Sequence, residues 1–178
     1  EVNNVADLAE VYGTRDFTLQ PGEVVALDPT LEAGVARSVK AYDSNAIGVV
    51  STHPATVIGG ASGAPNGVPV ALGGRVPVRV TTENGPVKPG DLLPSSSVPG
   101  FAKRIDRSGP VIGIAMHQYD PQSGANTAES IRCPAGTPEG VSCGTVLMFV
   151  KTSWYDGGYS IDRDGELLIK RNSASHDA

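Results

Sequence analysis

Short apolar, β-branched runs separated by turn residues recur along almost the whole chain. Residues 23–27, 46–51, 68–72, 75–81, 111–115 and 145–151 are rich in Val and Ile, and each run is bounded by Gly, Pro, Asn or Asp. That punctuation predicts strands. Asn84-Gly85 marks a tight turn, because both residues tolerate positive φ. Asp164-Gly165 marks another between residues 159–161 and 167–169, which predicts a terminal hairpin. Only residues 2–11 could form a short helix, with Asn3 or Asn4 as its cap and Gly13 soon after its end.

A weak internal repeat runs through this pattern. Pro21-Gly22-Glu23-Val24-Val25 parallels Pro89-Gly90-Asp91-Leu92-Leu93, Val35-Ala36-Arg37 parallels Phe101-Ala102-Lys103, and Ala46-Ile47-Gly48-Val49-Val50 parallels Val111-Ile112-Gly113-Ile114-Ala115. The offsets are 68, 66 and 65 residues, so the halves differ by small loop deletions. In each Pro-Gly-acid turn Pro fixes φ and Gly supplies the reversal. The repeated central glycine is expected at a bulge or a close backbone approach.

Composition strengthens the β reading. Glycine (22) and proline (14) make up 36 of 178 residues, about 20% against an average of roughly 12%. Each Pro inside a helix costs about 3 kcal/mol and each Gly about 1, so long helices are excluded. The expected fold is all-β: a compact, pseudo-repeated β-barrel or β-clip-like unit of short strands with a C-terminal hairpin. Its parts would be an N-terminal segment (1–12) able to act as an inter-subunit strand, a core domain (13–154) and a C-terminal hairpin with tail (155–178). Residues 59–67 read as a flexible loop, and residues 117–144 as a long excursion of the kind that is functional or inserted.

A net charge of −5 with dispersed Lys and Arg argues against nucleic acid and against anionic membrane surfaces. No apolar run approaches the roughly 20 residues needed to span a bilayer. Cys133 and Cys143 flank a polar, turn-forming segment. A disulfide there would stabilise the loop by roughly 2–3 kcal/mol and implies an oxidising compartment. The chain starts at Glu1 without Met, as expected of a segment released from a leader or a longer precursor.

Catalytic patterns are sparse. There is neither a phosphate-binding loop with its Lys and Ser/Thr nor a Gly-x-Ser-x-Gly elbow. His53, His117 and His176 show no metal-ligand spacing, and His53 beside Ser51 reads as a loop histidine. Asp7 and Glu10 are the one carboxylate pair with catalytic interest. They would share a helix face but diverge on a strand, and two surface acids is the simpler reading. Asp162, Asp164 and Glu166 alternate like the start of a calcium loop, yet Asn172 stands where an EF-hand needs its acidic ligand. A solvated turn is the expectation, with no cofactor required and calcium as the alternative ligand. Trp154, Tyr155 and Tyr159 form the aromatic cluster, suited to packing or subunit contact, or to a sugar platform.

Taken in order, Ala6-Asp7-Leu8-Ala9-Glu10, the residue 21–27 turn and strand, Ile47-Gly48-Val49-Val50-Ser51-Thr52-His53-Pro54, Val70-Ala71-Leu72-Gly73-Gly74-Arg75-Val76-Pro77-Val78, the residue 84–93 turn and strand, and Val111-Ile112-Gly113 resemble a domain near the C-termini of large bacterial surface proteins and phage tail-fibre-like proteins. The pattern is more distantly similar to the peptidase G2 domain, a self-cleaving intramolecular chaperone of phage appendages. The resemblance covers about residues 5–151. It implies a β-rich, often trimeric domain on an extracellular appendage or cell surface. In self-cleaving relatives the cut lies near the domain's start, which would place Asp7 and Glu10 at that chemistry. The leading expectation is a non-catalytic structural protein that assembles with copies of itself. Val2, Val5, Leu8, Val11, Trp154, Tyr155, Tyr159, Leu167 and Ile169 are its candidate contacts. A self-cleaving chaperone and a module binding a surface glycan are the alternatives.

Overall fold

The computed structural model describes residues 6–59, 66–123, 128–161 and 163–169. Thirteen strands form among them: β1 (Ala6–Tyr12), β2 (Val24–Asp28), β3 (Gly34–Arg37), β4 (Ala46–Val50), β5 (Thr56–Ile58), β6 (Val68–Thr81), β7 (Leu92–Leu93), β8 (Ala102–Lys103), β9 (Gly109–Ala115), β10 (Glu129–Ile131), β11 (Cys143–Tyr155), β12 (Tyr159–Ile161) and β13 (Leu167–Ile169). The first eleven belong to one sheet with the path β3-β2-β4-β6-β11-β9-β7, and β12 with β13 is a separate hairpin. The fold is all-β.

Three elements differ from the sequence reading. The region of the candidate helix carries β1, which pairs antiparallel with β6 and parallel with β5. β1 is thus a member of its own chain's sheet from residue 6 onward. Residues 68–72 and 75–81 form one 14-residue strand that continues through Gly73-Gly74. Finally, β11 extends to Tyr155, so Trp154 and Tyr155 lie within the strand and do not follow it.

The internal repeat is real in the hydrogen-bond pattern. Gly22 N–H donates to Val50 O and Val50 N–H to Glu23 O; Gly90 N–H donates to Ala115 O and Ala115 N–H to Asp91 O. Val24 and Val25 pair with Val49 and Gly48, as Leu92 and Leu93 pair with Ile114 and Gly113. Both turn glycines have positive φ, 81° and 92°. Their acids cap the turns alike, Glu23 accepting from Gln20 N–H at 2.9 Å and Asp91 from Lys88 N–H at 2.8 Å. The equivalence runs beyond the three sequence matches. Ser51 N–H donates to Pro69 O as Met116 N–H does to Leu147 O, so the start of β6 corresponds to β11. Buried Thr14 and Thr81 also correspond, each hydroxyl accepting a backbone N–H two residues on.

Strand pairing assigns residues to the two faces of the sheet. Ala9, Ala71, Val49 and Val24 point to one face, together with Val150 and Leu93, and all of these but Ala9 join the main core with Val76, Val78, Val80, Met148 and Tyr119. The opposite face carries a second cluster of Val25, Val35, Val50 and Val70, with Tyr12 and Leu72 packed against it. A bulge at Leu72, where Leu8 faces Gly73 but Ala9 faces Ala71, separates the two regimes. A third cluster joins Val98, Phe101 and Cys143 under the Cys133–Cys143 disulfide, which spans ten residues.

The repeated central glycines are required by close approach. A Cβ on Gly48 would overlap the Ala71 carbonyl, and one on Gly113 would overlap the Phe149 carbonyl. Gly48→Ala and Gly113→Ala are each expected to cost about 1–3 kcal/mol through overpacking. Urea unfolding checks this: similar losses support equivalent positions, and a neutral result at either site breaks the equivalence.

Candidate functional site

The β1 strand sorts its side chains by simple alternation. Asp7 and Ala9 are buried, while Leu8 between them is 44% exposed. Asp7 and Glu10, three residues apart on a strand, therefore point to opposite faces. Asp7 lies on the main-core side, only 2% exposed. Among the described residues neither of its carboxylate oxygens has a hydrogen-bond partner, and the Ser51 Oγ and Thr52 Oγ1 are likewise buried and unpartnered. The Asp7 carbonyl, by contrast, accepts the Ala55 N–H at 3.0 Å. Glu10 accepts a hydrogen bond from Tyr12 Oη at 2.8 Å. Burial and then this contact with Glu10 push the Tyr12 phenol up to about 12. The two carboxylates do not form an acid–base pair in this arrangement. Ser51 and His53 form no hydrogen-bonded couple either, since among the described residues the Ser51 hydroxyl has no partner and His53 is exposed on its loop.

Trp154 is 67% exposed at the far end of β11, and Tyr155 is half-buried next to it. Val11 is half-buried on β1. Tyr159, Leu167 and Ile169 belong to the terminal hairpin, where Tyr159 pairs with Ile169. That hairpin is a separate sheet from the one holding Trp154. Val2, Val5 and Asp162 lie outside the described residues. Asp164 and Glu166 are exposed on the hairpin turn, and among the described residues no three His, Cys, Asp or Glu side chains gather as metal ligands.

The structure adds an apolar row that the sequence reading missed. Leu92, Ile114 and Phe149 are paired in succession across β7, β9 and β11, so all three project from one face. Arg75 and Ala6 continue the row across β6 and β1, and Leu8 stands two residues along β1. Phe149 is 45% exposed, and Leu92 and Ile114 are half-buried. By the repeat, Leu92, Ile114 and Phe149 occupy the places of Val24, Val49 and Ala71, which are all completely buried. The first half buries this row inside the chain. The second half leaves it partly open to solvent, most of all at Phe149.

Each half also carries an ion pair at the same place. Arg37 approaches Asp16 at 3.6 Å, and Lys103 approaches Glu83 at 3.2 Å. Burial alone would raise the Glu83 carboxyl. Hydrogen bonds from the Ser96 hydroxyl and the Ser97 N–H, with the Lys103 ammonium, outweigh it and hold the group below its usual 4.5. These pairs are structural: each ties a loop after a buried threonine to the second strand after the Pro-Gly turn, β3 in the first half and β8 in the second.

The unpartnered Asp7 carboxylate is a local cost to folding, since a buried polar group without a hydrogen bond loses its hydration uncompensated. Asp7→Leu is therefore expected to stabilise the domain by about 1–3 kcal/mol. Thermal unfolding tests this, and a lower melting temperature would mean that the carboxylate is satisfied in solution.

No protein-family model matches the sequence, and no curated protein matches it. Solved structures do. The crystal structure of the bacteriophage phi29 gene product 12 C-terminal fragment superposes with a TM-score of 0.51 at 16% identity, covering 82% of this chain and all of the fragment. The pre-mature bacteriophage phi29 gene product 12 gives a TM-score of 0.51 at 17% identity, covering 84% of this chain. The chain spans only 22% of that longer protein's length. This chain has the fold of the C-terminal fragment of a phage gene product 12.

Proposed function

We propose that this chain is a non-catalytic structural domain of a phage appendage or an appendage-like surface protein, and that it associates with copies of itself. The observation that carries this reading is the exposed row Leu92, Ile114 and Phe149, whose repeat-related counterparts Val24, Val49 and Ala71 are wholly buried. A row of that chemistry is covered inside the first half by the second. Among the described residues no further unit covers the second half's row, and a neighbouring copy would supply an equivalent surface. Leu8 and Ile58, 44% and 47% exposed, extend the apolar character onto β1 and β5. The fold shared with the phage fragment supports the setting. Apolar rows of this kind, larger than scattered surface residues, mark association sites.

The test is the mass of the native, unreduced protein by light scattering, compared with Phe149→Glu. A discrete oligomer or a polymer is expected for the parent chain. A shift to monomer with unchanged circular dichroism is expected for the variant, since Phe149 is outside the core and a charge there is compatible with folding. A monomeric parent at high micromolar concentration contradicts the proposal.

A second reading is favoured by one specific observation, the buried unpartnered Asp7 at the start of β1. A group kept at a cost to stability is a candidate for chemistry, and a self-cleaving chaperone would cut near this segment. A longer precursor should then yield a new N-terminus without added protease, and Asp7→Asn should block it. A precursor that stays intact under conditions where it folds would dispose of this reading.

A further inference from the structure

We propose that the cavity between the first Pro-Gly turn and the disulfide loop is a binding site for an oxyanion, a phosphate or carboxylate group on a small organic carrier. The cavity is about 570 Å³ and is lined by Glu23, Arg37, Arg79, Phe101, Arg132 and Cys133, among others. That volume suits a small ligand. Three guanidinium groups converge on it, and their hydrogen bonds divide them into two kinds.

Arg37 is committed to structure. Its Nε and Nη2 each approach Glu23 Oε2 at 3.1 Å, Nη2 also reaches Thr18 O at 2.9 Å, and Nη1 faces Asp16. Glu23, buried to 5% exposure, is saturated by these contacts together with Gln20 N–H, so its charge is already answered. Arg79 is only half committed. Its Nε donates to Pro21 O at 3.2 Å and its Nη1 lies 3.5 Å from Glu23 Oε1, while among the described residues no acceptor meets its Nη2. Arg132 is exposed on the disulfide loop, and among the described residues no acceptor or carboxylate meets its guanidinium. One partly free fork and one wholly free fork therefore line a single cavity. Planar guanidinium groups bind phosphate and carboxylate in this way.

The internal repeat supplies a control within the same chain. Asp91, the counterpart of Glu23, caps its Pro-Gly turn through Lys88 N–H, and among the described residues no arginine pairs with it. The turn itself does not need a guanidinium cluster; Arg37 is taken up by Glu23 and Asp16, which leaves the free donors of Arg79 and Arg132 to meet a ligand. The Cys133–Cys143 disulfide fixes the far wall, since it ties the residue after Arg132 to the start of β11. Phe101 and Pro99 give the cavity an apolar side against which a carrier can rest.

The experiment is a titration of the intact, oxidised protein, followed by two-dimensional NMR at low ionic strength, where screening is weak. Inorganic phosphate and glucuronate are the probes, and methyl glucoside is the neutral control. Saturable shifts are expected at the Arg79 Nε–Hε and at the amides of Arg132, Cys133 and Ala135, with a dissociation constant of about 1 mM or tighter. Arg132→Gln should weaken binding about tenfold, and Arg132→Lys, which keeps the charge but not the fork, should recover only part of it. Among the described residues Arg132 has no structural partner, so its variants should melt like the parent. Phosphate alone binding would identify a phosphate ester as the carrier, and glucuronate alone an acidic sugar; both support the site. Three results overturn it: no saturable shift with either anion up to tens of millimolar, equal shifts with methyl glucoside, or undiminished binding in Arg132→Gln. The mass of the oligomer is read independently, so this site and the assembly face can fail separately.

Discussion

The whole sheet depends on β6. This one strand hydrogen-bonds β1 and β4 along its first part, and β11 and β8 along its second. Its backbone groups must be satisfied on both edges over 14 residues. Its Val76, Val78 and Val80 are completely buried, each contributing roughly 1.5–3 kcal/mol of apolar burial. The strand manages both halves because it changes facing in the middle. Leu72 is the extra residue of a bulge, and Gly74, with φ of 93°, sits where a Cβ would overlap the Ala6 carbonyl. Bulges re-aim a strand, and here the bulge lets one continuous strand serve a core on each face of the sheet.

The repeat and the bulge together account for the exposed apolar row. Two equivalent units each fold around an inner cluster, Val25, Val35, Val50 and Val70 in the first, and Leu93, Ala115 and Met148 among others in the second. Each unit also presents an outer row. The first unit's outer row is Val24, Val49 and Ala71, and it lies against the second unit's core, so nothing of it reaches solvent. The second unit's outer row holds larger side chains, Leu92, Ile114 and Phe149. Replacing Ala71 by its counterpart Phe149 at an exposed position runs against ordinary surface composition. It makes sense for a surface that meets another protein surface, where aromatic residues are enriched.

Much of this was legible in the chain itself. Strand positions followed from Val-rich runs and their Gly and Pro boundaries, and Asn84-Gly85 and Asp164-Gly165 fell in turns. The Pro-Gly-acid repeat predicted equivalent hydrogen bonds, and the structure has them. The cysteine pairing followed from two thiols in one polar loop. What was illegible depended on tertiary placement. No local signal says that Gly73-Gly74 continues a strand, because glycines weaken strands in general, and of the two only Gly74 is explained by the approach of β1. The face that each residue of β1 takes depends on pairing to β6, so the divergence of Asp7 and Glu10 became certain only with the register. The apolar row was present in the repeat alignment, where Val24 stands beside Leu92 and Val49 beside Ile114. Its meaning needed burial, which differs between the halves although the chemistry does not. The cluster of arginines was beyond sequence reasoning, since Arg37, Arg79 and Arg132 are far apart along the chain.

The proposed structural role would give these features one cause. The domain consists of turns, short strands and two inner clusters, and among the described residues one apolar face is left partly uncovered. Hydroxyl-radical footprinting of the native protein at working concentration tests that claim most directly. Met116, Phe149 and Trp154 are 41%, 45% and 67% exposed in the single chain, and Phe17, 74% exposed in the loop before β2, serves as the internal reference. The account predicts that Phe149 is modified far more slowly than its single-chain exposure implies while Phe17 is modified freely. Modification of Phe149 at the rate set by its 45% exposure would show that the face stays in solvent and would contradict assembly through it.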